Sequence, residues 1–125
     1  MRHLLDTHVV LWYAQGCSDL NGAAREIIAH DECCFSVASL WEIAIKQRLG
    51  KLNSNLSMPE LAKFCEDEGF ERLTIEPEHI ERTKALPGIH KDPFDRLLIA
   101  QAQMENLVII TRDAQVQKYD VQTVW

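Results

Sequence analysis

The sequence lacks the motifs by which several common enzyme classes bind phosphate or metal. No G-x-G-x-x-G or Walker glycine pattern is present, which excludes the dinucleotide and P-loop sites that depend on those glycines. The four cysteines show no C-x-x-C spacing and have no paired histidine motif beside them, so a zinc site is not expected. No serine or cysteine with a histidine partner stands out as an activated nucleophile. The sequence therefore disfavours these phosphate loops, zinc and covalent catalysis.

Long apolar runs and an excess of positive charge are also missing. No uninterrupted apolar segment approaches the length of a membrane-spanning helix, and Asp6 stands where a signal peptide would need its apolar region. The net charge of −6 argues against broad electrostatic binding to nucleic acid. An acidic protein can still act on nucleic acid, because bound divalent cations reverse the local charge. We expect a cytoplasmic protein.

The length and the order of the elements predict the fold. A chain of 125 residues without linker, repeat or low-complexity segment is expected to form a single domain, residues 1–125. Strands are predicted at 2–6, 33–35, 70–75, 107–110 and 121–124. Helices are predicted at 8–13, 22–30, 37–49, 58–68, about 76–85, 93–105 and 114–118. This alternation indicates an α/β fold, a central parallel sheet of about five strands flanked by helices.

The segment from His90 to Asp113 carries the clearest local signals. Asp92 is a good helix N-cap, and Pro93 suits the first helical position because its missing N–H costs nothing there. Asn106 can close the helix in a left-handed turn. Asp95 then falls in the first turn, near the positive end of the helix dipole, so we expect it to be ionised near neutral pH.

Four acidic residues are predicted to converge at one edge of the sheet. Asp6 and Asp113 follow strands, and Glu42 and Asp95 lie in early turns of helices that begin at the same edge. A cluster of carboxylates is stable only with counter-charge, and oxygen ligands suit Mg²⁺ or Mn²⁺. Such ions can activate a water for phosphodiester hydrolysis. The residues thus predict metal-dependent hydrolysis of a phosphodiester.

Each acid also has a structural explanation when it is taken alone. Asp6 and Asp113 could cap the helices that follow them, although Thr7 can also cap the first of these helices. Glu42 could form an i,i+4 ion pair with Lys46. The joint pattern outweighs these separate explanations, because so many acids in matching places are improbable by accident.

Other chemically active side chains receive structural interpretations. His8 and His90 lie near the acids, but a single histidine is more often structural or exposed than a ligand. Cys33 and Cys34 are neighbours in a predicted strand and point to opposite faces, so we interpret them as buried, reduced thiols.

Four motifs, in order, extend over nearly the whole chain. They are Leu4–His8, Ser39–Lys46 with Leu49–Leu52, Asp92–Ala102 and Ile110–Asp113. Together they resemble PIN-domain proteins, and most closely the VapC-like ribonuclease toxins of bacterial type II toxin–antitoxin pairs. The resemblance implies a PIN-like domain and a Mg²⁺- or Mn²⁺-dependent endoribonuclease. It also implies a homodimer that a small cognate antitoxin inhibits.

The resemblance also assigns roles to individual residues. The positions that match the metal-holding and catalytic acids are Asp6, Glu42, Asp95 and, at a more variable fourth position, Asp113. Thr111 and Ser39 are expected to support the acidic pocket. The cations that could contact RNA phosphate, or only balance the acidic charge, are Lys46, Arg96 and Arg112.

Two other functions are compatible with a small α/β domain that carries clustered acids. The first is a PIN-fold binding module that has little activity and acts through protein partners; the intact acids count against it. The second is a receiver-like phosphoacceptor domain, which needs adjacent acids after its first strand. Thr7 and His8 follow Asp6 here, so the second alternative is disfavoured.

Overall fold

Five parallel strands form a single sheet in the computed structural model, which describes residues 2–125. Met1, where the predicted domain begins, lies outside the described residues. The strands are β1 (Arg2–Leu5), β2 (Glu32–Ser36), β3 (Glu71–Leu73), β4 (Val108–Ile110) and β5 (Thr123–Val124). Their order across the sheet is β3-β2-β1-β4-β5, and each neighbouring pair is parallel. The predicted α/β fold is confirmed.

Helices connect the strands, as the alternation in the sequence predicts. They are α1 (Thr7–Gln15), α2 (Gly22–His30), α3 (Val37–Arg48), α4 (Met58–Asp67), α5 (Pro77–Thr83) and α6 (Pro93–Glu105). The predicted final helix is only a 3₁₀ turn, Val116–Lys118. Among residues 2–125, no helix is long and apolar enough to cross a membrane.

The sheet separates two apolar cores, because successive side chains of a strand point to opposite faces. Leu5 and Cys33 pack in the core that includes residues of α1, α2 and α4. Leu4 and Cys34 pack in the other core, against α6. Burial raises the pKa of the Cys33 thiol to about 11 and that of Cys34 to about 12. Both cysteines are buried and free, as predicted.

The strand order reverses between β1 and β4. The chain runs from β1 outward to β2 and β3 on one side, whereas β4 and β5 lie on the other side. In open α/β sheets the crevice at such a reversal, outside the carboxyl ends of the strands, is where ligands bind. Asp6 follows β1 and Asp113 follows β4, so both acids lie at this position.

The helix caps follow local signals with one exception. Asp92 caps α6 through its bond from the Phe94 N–H, and Asn106 ends α6 with a left-handed φ of 59°, as predicted. Asp6, and not Thr7, caps α1, because the Asp6 carboxylate accepts the His8 N–H at 2.9 Å. The expectation for Thr7 was wrong: it is the first residue of the helix.

Candidate active site

Asp6 is held in one orientation by two neighbours. Its side chain is buried, Oδ1 accepts the His8 N–H, and Oδ2 accepts the hydroxyl of Thr111. The Thr111 hydroxyl in turn accepts the backbone N–H of Asp113 at 3.0 Å. Thr111 therefore ties the end of β1 to the end of β4, a contact that fits the supporting role predicted for it.

Glu42 brings a carboxylate with an unused oxygen to the same place. The residue is only 4% exposed. Its Oε2 lies 3.1 Å from Lys46 Nζ, which is the i,i+4 pair that the sequence allowed. Its Oε1 is buried and has no hydrogen-bond partner. A buried oxygen without a partner is energetically costly, so this atom is suited to meet a cation.

Ser39 lies one turn before Glu42 in α3 and joins α3 to α1. The Ser39 hydroxyl is buried and accepts the hydroxyl hydrogen of Thr7 at an oxygen–oxygen distance of 2.9 Å. This contact fixes the α3 turn that precedes Glu42 against the helix that follows Asp6. The geometry agrees with a supporting role for Ser39.

Asp95 shows how strongly the acids interact. Its pKa is raised to about 8, first by burial and then by the charges of Asp6, Asp92, Glu42 and Asp113. The expectation that Asp95 is ionised near neutral pH was therefore wrong. A helix dipole contributes about 0.3–2 kcal/mol, which burial and like charges outweigh here. The structure thus brings the four predicted acids together around Asp95.

His90 joins Asp95 and Asp113. Its Nε2 lies 2.9 Å from Asp95 Oδ2 and 3.3 Å from Asp113 Oδ2. One potential ligand atom from each of the three residues lies within 4.8 Å of the other two. Asp113 also accepts the Gln115 N–H through Oδ1, so it caps the following turn while its other oxygen faces His90. The sequence analysis did not assign His90 to the site.

Two of the three predicted RNA-contacting cations have partners within the chain. Lys46 pairs with Glu42. The guanidinium of Arg96 donates to the backbone oxygens of Thr83, Leu86 and Pro87 at distances from 2.7 to 3.2 Å. Arg96 therefore braces the segment before α6.

Arg112 is the exposed cation at the edge of the acidic cluster. Its guanidinium carbon lies 4.5 Å from the ring centre of Trp12 and 5.6 Å from that of Trp125, which are cation–π distances. It borders a pocket of about 340 Å³. The pocket is lined by Asp6, His8, Val9, Trp12, Arg112 and Asp113. A cation and an aromatic surface therefore adjoin two of the acids.

The donor atoms of the cluster fit a divalent cation. The four carboxylates offer the oxygen donors that Mg²⁺ and Mn²⁺ prefer, and among residues 2–125 those of Asp95 and Asp113, with a nitrogen of His90, lie within 4.8 Å of one another. The partnerless Oε1 of Glu42 and the raised pKa of Asp95 both indicate negative charge that lacks compensation. A bound dication would supply that charge.

The chain is similar in sequence to a known protein family and to a known ribonuclease. Residues 3–122 match the family model described as PIN domain. Ribonuclease VapC22 of Mycobacterium tuberculosis is 29% identical over 119 residues, covering 93% of this chain and 90% of that protein.

Solved structures share the fold. VapBC2 from Rickettsia felis, bound to a DNA fragment from its promoter, gives a TM-score of 0.72 at 12% identity, covering 99% of this chain and 98% of the other. FitAcB from Neisseria gonorrhoeae gives a TM-score of 0.64 at 17% sequence identity, covering 98% of this chain and 96% of the other. A toxin–antitoxin complex from Klebsiella pneumoniae gives a TM-score of 0.66 at 19% sequence identity, covering 98% of this chain and 96% of the other.

Proposed function

Because this chain belongs to the PIN domain family, we propose that it is a metal-dependent endoribonuclease, the toxin of a type II toxin–antitoxin pair. The observation that carries the proposal is the cluster of four acids at the strand-order reversal. One of these acids has a buried oxygen without a partner. Similarity to ribonuclease VapC22 supports RNA as the substrate.

The chemistry follows from the donor atoms. Asp6, Glu42, Asp95 and Asp113 would hold a Mg²⁺ or Mn²⁺ ion, which when bound activates a water and stabilises the leaving oxygen of a phosphodiester. The chain itself supplies orientation and charge. Thr111 and the His8 N–H fix both oxygens of Asp6.

The pocket beside the acids provides a place for RNA. We assign the phosphate contact to Arg112, because its guanidinium is exposed and adjoins the pocket that Asp6 and Asp113 line. Arg96 is assigned a structural role, because backbone oxygens occupy its guanidinium. Lys46 balances the charge of Glu42.

A protein partner fits an apolar surface beside the acids. Trp41 and Leu49 are each 61% exposed, and Trp41 contacts Phe94 edge-on at a ring distance of 5.3 Å. The related structures are toxin–antitoxin complexes, so we assign this surface to a small antitoxin. An antitoxin bound there would lie next to Glu42, since Glu42, Leu49 and Phe94 line one shallow pocket. Homodimerisation stays a prediction from the resemblance.

The proposal is tested by RNA cleavage. Purified protein, free of any antitoxin, is incubated with a pool of structured RNAs in Mg²⁺, Mn²⁺ or EDTA. Wild type is compared with Asp95→Asn, Glu42→Gln and the control Asp67→Asn, whose exposed carboxylate pairs with Lys63 on α4. We expect cuts that need metal, persist in the control and fall at least about 100-fold in the two site variants.

The opposite result would favour the alternative function. A folded protein that cuts no RNA with either metal would support a PIN-fold binding module that acts through protein partners. Full activity in Asp95→Asn would contradict the assignment of the acids, whatever RNA is cut.

A further inference from the structure

We propose that His90 is a positioning residue that holds Asp113 beside Asp95 by donating its Nε2–H to Asp113, and that it is not itself a metal ligand. The inference rests on the proposed metal site. It concerns a residue that neither the sequence motifs nor the acidic positions identified.

The hydrogen bonds of the ring determine which nitrogen carries the proton. His90 Nδ1 accepts the backbone N–H of Asp92 at 3.2 Å. A histidine whose Nδ1 accepts a hydrogen bond is neutral and carries its hydrogen on Nε2. The Nε2–H therefore donates to Asp113 Oδ2 at 3.3 Å, and Asp95 Oδ2 lies 2.9 Å from the same nitrogen.

This tautomer distinguishes a donor from a ligand. A metal-binding imidazole nitrogen needs a free lone pair, and Nε2 has none while it carries hydrogen. The three close atoms of His90, Asp95 and Asp113 resemble a metal site. The Asp92 contact shows instead that Nε2 carries a hydrogen, which Asp113 accepts beside the Asp95 carboxylate. His90 thus supplies a hydrogen where two oxygens would otherwise repel each other.

The backbone at His90 is fixed without help from the imidazole. The Tyr119 hydroxyl accepts the His90 N–H at 2.7 Å and donates to Pro87 O at 2.9 Å. Arg96 donates to Pro87 O and Thr83 O. These contacts do not involve the ring, so the loop should keep its place when the ring is removed. The variant then loses the donor to Asp113 and the acceptor of the Asp92 N–H.

The test measures Mn²⁺ affinity by calorimetry at constant pH, using the whole chain without a partner. Residues that orient metal ligands typically change affinity about 10–100-fold. We expect His90→Ala to weaken Mn²⁺ binding about tenfold or more. His90→Gln keeps an N–H donor on a side chain of similar reach, so it should stay within about threefold of wild type. His30→Ala, which removes an exposed histidine that pairs with Glu26, should change nothing.

Three other results for Mn²⁺ affinity would contradict the proposal. Unchanged affinity in a folded His90→Ala would show that the donor is unnecessary, and tighter binding would show that the imidazole competes with the ion. Equal losses in the Ala and Gln variants, with wild-type melting temperatures, would identify Nε2 as a ligand.

The result is separable from the proposed function. Wild-type protein that binds Mn²⁺ but cuts no RNA contradicts the ribonuclease alone, and the His90 series is still decided by affinity. Wild-type protein that binds no divalent ion contradicts both.

Discussion

Asp95 is the acid of the site whose pKa shows most clearly the effect of burial and of neighbouring negative charge. Burial and four neighbouring acids raise its pKa to about 8, so near neutral pH the metal-free protein keeps a proton on this carboxyl. The unfolded chain releases that proton near the ordinary value of 3.8. Both the stability of the fold and the binding of metal must therefore depend on pH through this residue.

Stability without metal should fall as pH rises from about 4 to about 8, because the unfolded chain loses the Asp95 proton in this window and the folded chain retains it. Asp95→Asn mimics the protonated form. Its melting temperature in EDTA should match wild type at or below about pH 4 and exceed it increasingly up to about pH 8. Each kcal/mol corresponds to about 3–6 °C for a domain of this size. Scanning calorimetry measures the difference, and a difference that does not change with pH would exclude the raised pKa.

Metal binding should release the Asp95 proton. Affinity for Mn²⁺ is expected to rise about tenfold per pH unit below about pH 8 and to level off above it, because the ion competes with one proton. Calorimetry in buffers of different ionisation enthalpy counts the released protons. Release of no proton near neutral pH would mean that Asp95 is already ionised.

At the scale of elements, α6 shows which features local sequence determines. Its first turn follows from the cap at Asp92 and from Pro93, and its end follows from Asn106, so both ends were predicted correctly. The position of His90 beside Asp95 and Asp113 was missed, because contacts with Tyr119, far along the chain, position its loop. The ionisation of Asp95 was mistaken for the same reason: the dipole is local, whereas burial and the other acids come from distant segments.

The left-handed end of α6 can be tested directly. Asn106 is exposed with φ of 59°, a conformation that costs an ordinary residue about 1–2 kcal/mol. Asn106→Ala should lower the free energy of unfolding by about 1 kcal/mol, and Asn106→Gly should leave it nearly unchanged. Urea denaturation measures both variants. Equal stability of the Ala variant would mean that the helix ends differently.

At the scale of the whole molecule, the negative net charge determines how RNA would bind under the proposed function. The net charge is −6, and of the three cations assigned beside the acids Lys46 and Arg96 are engaged inside the chain, which leaves Arg112 to replace a counterion of RNA there. Binding should therefore depend on a few contacts at the active-site pocket, and only weakly on salt.

The dependence of RNA affinity on salt concentration can be measured as a slope. A single-stranded RNA held through one or two phosphates should show a slope of log K against log salt between about −0.7 and −1.4. Arg112→Ala should weaken binding and reduce the slope by about 0.7, whereas Lys63→Ala, on the exposed face of α4, should leave it unchanged. Fluorescence anisotropy measures the slope with the Asp95→Asn protein, in which RNA cleavage is expected to be lost. A much steeper slope would reveal a phosphate-binding surface beyond the pocket.

The central position of β1 has a consequence for the synthesis of the chain. The strand made first lies between β2 and β4, and Asp6 bonds to a threonine 105 residues later. A growing chain that ends before Thr111 lacks this partner of Asp6 and also lacks Asp113. The full set of proposed metal ligands therefore cannot assemble until synthesis has passed Asp113, so under the proposed function a shorter growing chain would lack the complete site.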